Sequence, residues 1–500
     1  MRPVHLRPFF TALVPLCLAI GTTLPAQSPK PPALAAIRVT DIRRDMDFLG
    51  GDHFRGREGG TLDEMRASMW IAEQLRAIGL EPAGEDGTFF QWFSIRRQRL
   101  SDASTIHVDG QPVTLWQEAV VMTATDASID LPLLYVGAGT DADLAGKDLQ
   151  GKAVAALLRT SLTPPRNQGG VAVQRMVQGS AMTQARALIQ KGAAAVILVA
   201  DSAGMVALPY LVASQSRGSY AVATNETGTP RPRAAAPIAV VSTAALSAVQ
   251  HGARVAMRLS TESFLYPSVN IVGKIRGTDP LLREEHVLFS SHQDHDGVRG
   301  PVDGDSIYNG ADDNTSVTVG LFAIARAWKQ KPGKRSALFV WHGAEERGLL
   351  GSRWHAEHPM VPTQSIVAVL NADMIGRNHP DSAAILGIQP PHRNSAALAQ
   401  MALDANTAIT KFVVDSTWDR PTHVEGWYFR SDHLPYARAG IPALMYSTLL
   451  HADYHTPRDE PSRIDAQKLA RMAQWMYATG WYVSETRERP GVDPGFRLER

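Results

Sequence analysis

The segment SHQDHDG, residues 291–297, sets His292 two residues before Asp294, directly after the apolar run HVLFS. Imidazole binds zinc through one free nitrogen when the other is held, and Asp294 is placed to accept that second N–H and fix the tautomer. Alone, the pair reads equally as a surface histidine beside acids. The next segment, GDSIYNGADDNTSVTVG, puts Asp312 and Asp313 in a turn before an apolar-periodic helix. A carboxylate there can bridge two cations, one on each oxygen, or cap the helix. SALFVWHGAEERGLLGS ends an apolar run in Glu345 and Glu346. Adjacent carboxylates repel unless a cation or shared proton compensates them, so one could ligate metal while the other serves as general base. As acids at a helix start they also have an ordinary role. SIVAVLNADMIG puts Asp373 at another strand end, where an unpaired charge is expensive, and YHTPRDEPSRID supplies His455 in a loop.

The elements that must carry these residues are legible as patterns. HVLFSS, SALFVWHG, SIVAVLNAD and IPALMYS are short apolar runs suited to buried strands, and TSVTVGLFAIARAWKQ and IDAQKLARMAQWMYATGWYV have helical period. Their alternation predicts an α/β sandwich around a largely parallel sheet, whose ligands gather at the carboxyl ends of strands. Upstream, Met65, Met69, Ala72, Leu75 and Ile78 recur at helical spacing and read as core packing, with Gly79 as a helix stop. Between about residues 99 and 264 the character changes to short β-like runs, LPLLYVGAG, GKAVAALLR, AAVILVAD and PIAVVST, which predict a separate small domain.

Together, SHQD, NGADDN, GAEERGLLGS, NADMIG, RSDHLPYARAGIPAL and YHTPRDE resemble the M28 family of zinc aminopeptidases over roughly residues 35–100 and 266–487. The pieces DLAGKDLQGKAVAAL, AMTQARALIQKGAAAVILV and PIAVVS resemble a protease-associated (PA) domain inserted between. The resemblance implies a three-layer sandwich around a mixed, largely parallel sheet and two zinc ions per chain. One would be held by His292 and Asp373, the other by Glu346 and His455, with Asp313 bridging. It makes Glu345 the general base, taking a proton from the attacking water and protonating the leaving amine. It places Asp294 behind His292, Ser431, Asp432 and His433 in a loop beside the active site, Tyr428 where some members keep an oxyanion-stabilising phenol, and a cis peptide between Asp313 and Asn314. His295, His342, His355, His358, His379, His423 and His451 match no family position and read as structural, His295 being best placed to depart from that. Trp418, Trp427, Tyr428 and Phe429 could line a specificity pocket or pack in the core.

The whole chain frames these readings. Its 500 residues exceed one typical core, and 50 Lys+Arg against 49 Asp+Glu leave no polycationic surface, so no nucleic-acid partner is expected. Arg2 and Arg7 precede an apolar run ending at Ile20 and small residues up to Ala26, the pattern of a secretory signal peptide. It carries the single cysteine, Cys17. Export to the periplasm or medium follows, with no membrane association after removal. The expected divisions are 1–26 signal peptide, 27–99 and 266–487 peptidase domain, 100–265 PA-like insertion and 488–500 a polar, loosely ordered tail. The expected partners are peptides with a free N-terminus, and the oligomeric state is left open. A carboxypeptidase of the glutamate-releasing type, with Arg430 meeting a substrate carboxylate, a non-catalytic binding protein and a glutaminyl cyclase are the alternatives.

Overall fold

The computed structural model describes residues 30–160, 170–223 and 235–499; the expected signal peptide, with Cys17, lies outside the described residues. The four apolar runs become strands His286–His292, Ser336–His342, Ile366–Ala372 and Ala443–Ser447, each buried at every position. Burial on both faces is why they read as unbroken apolar runs rather than alternation. They lie side by side and parallel in the order 443, 366, 286, 336 by first residue. Antiparallel strands Thr261–Ile275, Phe90–Leu100 and Ser219–Val222 extend one edge. Ser382–Leu386 and Val413–Asp415 extend the other.

Alternate side chains of this sheet feed two cores. Phe289, Phe339, Trp341 and Leu370 pack with residues of the helices Val317–Gln330 and Ala466–Glu485. Leu288, Leu338, Val340 and Val369 pack with Tyr436 and Ala437 of the helix His433–Arg438. The result is the expected three-layer sandwich around a mixed sheet with a parallel centre.

The helix Leu62–Ile78 corrects one expectation. Its buried face is Ala67, Ser68, Ile71, Ala72 and Leu75, while Met69 is 64% exposed. The cause is Glu64, whose buried carboxylate accepts from the Gly60 N–H at 2.7 Å and the Ser268 hydroxyl at 2.8 Å. With Glu64 on the buried face, Met69 falls outside it and Met65 at its margin. Gly79, at φ +88°, ends it as expected.

Residues 105–259 contribute a second, eight-stranded sheet, whose strands Ala127–Tyr135, Ala153–Leu157, Ala195–Val199 and Ile238–Val241 are parallel in sequence. Helices Gly170–Gln190 and Ser202–Gln215 cover one face, and a separate core lies on the other. The strands Phe90–Leu100 and Thr261–Ile275 pair from Phe90–Ile271 to Leu100–Thr261 as the ribbon joining the two sheets. Position 265/266, taken above as a domain limit, lies inside that ribbon. The C-terminal tail is docked, not loose: Asp493 accepts from Ala396 N–H at 2.9 Å, donates its own N–H to Asn394 at 2.8 Å, and Leu498 packs against the core.

Candidate metal centre

His292 is the last residue of its strand and is buried. Its Nδ1 lies 3.1 Å from the backbone carbonyl of Asp294, but 3.9 Å from the Asp294 carboxylate. The histidine is thus held by the main chain rather than by the side chain expected to hold it. The Asp294 carboxylate accepts instead from the backbone N–H of Glu345 at 2.9 Å and of Glu346 at 3.3 Å. Two amides converging on it compete more strongly than a distant imidazole. Burial first, and then the neighbouring Glu346, push Asp294 up to about 6 against the pull of His292.

The expected residues converge around Asp313. One carboxylate oxygen lies 3.3 Å from His292 Nε2, the other 3.1 Å from His455 Nε2. On the first side Asp373 lies 3.7 Å and Glu345 3.9 Å from the same His292 nitrogen. On the second side Glu346 Oε1 lies 3.3 Å from His455 Nε2. His295, read from the sequence as structural, stands in that second group, its Nδ1 2.9 Å from Glu346 Oε1. The peptide between Asp313 and Asn314 is cis.

These groups fit metal ions. His292 Nε2, His455 Nε2, His295 Nδ1 and Glu346 Oε1 are buried, and none makes a hydrogen bond among the described residues. Buried polar atoms are ordinarily satisfied, so a cluster of bare imidazole nitrogens facing carboxylates points to cations. Two groups meet the requirement: His292, Glu345 and Asp373, and His295, Asp313, Glu346 and His455. Burial raises Glu345 well above the usual carboxylate range, with Glu346 and Asp432 adding to it and His292 opposing. Ala344, Met374 and His455 adopt left-handed backbone (φ +52°, +55° and +53°) beside or at these residues, a conformation that clusters at functional sites.

Tyr428 is not among them. Its ring stacks on His392 at 4.4 Å and meets His433 edge-on at 4.8 Å, inside a cluster with Trp427, Leu386 and Met445, and its buried hydroxyl makes no hydrogen bond among the described residues. The rings of Trp427 and Tyr428 thus pack in a buried cluster. Arg430 is paired with Glu425 at 2.7 Å and lies over Trp427 at 4.4 Å. Glu425 also meets Arg175 of the second sheet's helix at 3.4 Å. Ser431 accepts from Asn371, and Asp432 is pushed up to about 7, first by burial. His355 Nδ1 meets Tyr436 Oη at 2.6 Å, and His451 Nε2 lies 3.4 Å from Asp312, away from both donor groups.

Sequence reasoning missed several groups that hold the centre. Asp459, inside YHTPRDE, accepts from the backbone N–H of Asp312 at 3.0 Å and of Asp313 at 3.1 Å. Asp296 lies 2.9 Å from His455 Nδ1 and pairs with Arg299. Buried Arg57 donates to the carbonyls of Gln293, Asn309 and Gly310 at 2.8, 2.8 and 3.1 Å, tying the His292 loop to the Asp313 loop. Arg347, next to Glu346, pairs with Glu58 at 2.8 Å and lies over Tyr220, beside Arg217, which is 3.8 Å from the same Glu58. The acids had a signal in their motifs; Arg57 had none, being 236 residues from its partner Gln293.

Residues 270–480 match the model of peptidase family M28. Aminopeptidase YwaD of Bacillus subtilis is 23% identical over 97% of this chain and 96% of its own. A "Probable leucine aminopeptidase" of Arthroderma otae is 29% identical over 40% of this chain, which spans only 54% of that relative. Among solved structures, the aminopeptidase from Aneurinibacillus sp. strain AM-1 superposes with a TM-score of 0.57 at 17% identity, over 92% of this chain and 97% of that one. The zinc aminopeptidase BSAP from Bacillus subtilis gives 0.56 at 18% identity, over 94% and 100%. At these identities the two structures speak to the fold.

Proposed function

We propose that this chain, whose residues 270–480 match the model of peptidase family M28, is an exported aminopeptidase with two zinc ions, removing N-terminal residues from peptides. The observation that carries the reading is the pair of donor groups meeting at the two oxygens of Asp313. His292 and Asp373 would hold one ion, Glu346 and His455 the other, and Asp313 both. Zinc bound there would supply a lowered water pKa and a polarised scissile carbonyl. Glu345, largely buried and 3.9 Å from His292 Nε2, takes a proton from the attacking water and returns it to the leaving amine. Asp294 holds the loop that aims Glu345 and Glu346. The second sheet is read as the PA-type insertion.

The full-length relative YwaD, named an aminopeptidase, supports a free N-terminus as the preference. Arg430, the cation weighed for a substrate carboxylate, is paired with Glu425, which Arg175 shares. A panel of fluorogenic aminoacyl amides, N-blocked peptides and C-terminally free peptides tests the reading, with and without chelator. Cleavage of aminoacyl amides that stops on chelation is expected. Residues released from the carboxyl end of blocked peptides, or no effect of chelator, would overturn it. Sequencing the N-terminus of the exported protein tests signal removal after Ala26.

A further inference from the structure

We propose that His295 binds zinc through Nδ1, giving the centre three imidazoles where the family resemblance assigns two. The inference rests on the two-zinc reading above. His295 is fully buried, and its Nδ1 lies 2.9 Å from Glu346 Oε1 and 3.8 Å from the Asp313 oxygen that also faces His455. At 2.9 Å the two atoms are within hydrogen-bond distance, yet among the described residues neither completes a bond of good angle; Nε2 has no partner either, and it is the distance to Glu346 that selects Nδ1. The same signature marks His292 Nε2 and His455 Nε2, each near a carboxylate oxygen and each without a hydrogen bond of good angle among the described residues. Ligand atoms around one tetrahedral zinc, each about 2.0–2.1 Å from it, stand roughly 3.3 Å apart. The separations within this group, 2.9, 3.1, 3.3 and 3.8 Å, bracket that spacing.

The ring is held in place by its surroundings. The His295 backbone N–H donates to the Arg57 carbonyl at 3.3 Å in an isolated bridge with Glu58. Gly310, at φ +56°, lies so close that a Cβ there would come 2.3 Å from His295 Cγ. The backbone carrying the bridging aspartate therefore leaves room for this imidazole and for little else. The two metal positions become unequal. One has His295, His455, Glu346 and Asp313 around it; the other has His292, Asp373 and Asp313 with Glu345 alongside. The position with two imidazoles should be the one that keeps its zinc longer.

Zinc-edge X-ray absorption on the full chain loaded with two zinc ions reads the imidazole count directly. Three imidazoles over two ions give about 1.5 per zinc, against about 1.0 without His295. The count should fall to about 1.0 in His295→Ala, and competition with a zinc indicator should show one of two sites weakened at least about 10-fold. A wild-type count near 1.0 with two zinc ions bound overturns the inference and leaves the two-zinc reading standing. Failure to bind two zinc ions overturns both. The wild-type count decides even if the variant does not fold.

Discussion

The carboxylate of Asp294 grips the backbone N–H of Glu345 at 2.9 Å while its own carbonyl receives the ring N–H of His292 at 3.1 Å. One residue therefore sets the distance between a proposed ligand and the proposed base. Asp294→Ala should free the loop carrying Glu345 and Glu346. Zinc affinity is expected to drop about 10–100-fold, with far-UV circular dichroism unchanged. Unaltered affinity, read by indicator competition, would show that the loop needs no such grip.

Glu345→Gln removes the proton acceptor but keeps shape and volume. Turnover of an aminoacyl amide should fall at least about 10²–10⁴-fold while zinc content stays at the wild-type value. Metal analysis beside steady-state kinetics separates the two effects. A variant retaining most of its turnover would remove Glu345 from the chemistry.

Asp459 holds the other loop, accepting from the amides of Asp312 and Asp313. Asp459→Ala leaves two buried N–H groups without their acceptor, a loss of about 1–3 kcal/mol for each. Urea unfolding should show a lower midpoint at unchanged slope, since the surface exposed on unfolding is the same.

His355 is buried and pushed down to about 3, the loss of hydration being the cause. Its ordinary value is about 6.5, so between these limits the unfolded chain takes up a proton that the native chain refuses. The neutral ring's contribution is complete above pH 6.5 and is lost as pH falls toward 3. His355→Gln should flatten the dependence of stability on pH in that window by up to about 1.4 kcal/mol per unit. Urea midpoints at pH 6.5, 5.5 and 4.5 give the slope, and other titrating groups cancel in the comparison. Parallel slopes would contradict the assignment.

The parallel strands were legible because burial on both faces leaves only apolar residues in them, and the ends of those strands marked where His292, Glu346 and Asp373 would meet. Their supports were less so. Asp294 was read as serving the histidine before it, since spacing shows proximity in the chain but not the two amides that Glu345 and Glu346 bring from a neighbouring strand end. Periodicity puts Met69 in the core because it gives a face without its rotation, and the structure buries Glu64 on that face instead. His295 sits one residue beyond the recognised H-x-D spacing, and only the close approach of Gly310 shows where its ring must go. Asp493 and Leu498 docked a tail whose polarity alone predicted looseness.

The contact of Tyr220 with Arg347, and the sharing of Glu58 between Arg347 and Arg217, join the segment after the helix Ser202–Gln215 to the residue that follows Glu346. Any ligand that displaces that segment would change the free energy of the loop bearing Glu346, and an ion held at Glu346 would bias the segment by an equal amount in return. The strand Ser219–Val222 and an ion at Glu346 would, in this sense, be effectors of one another across a single guanidinium.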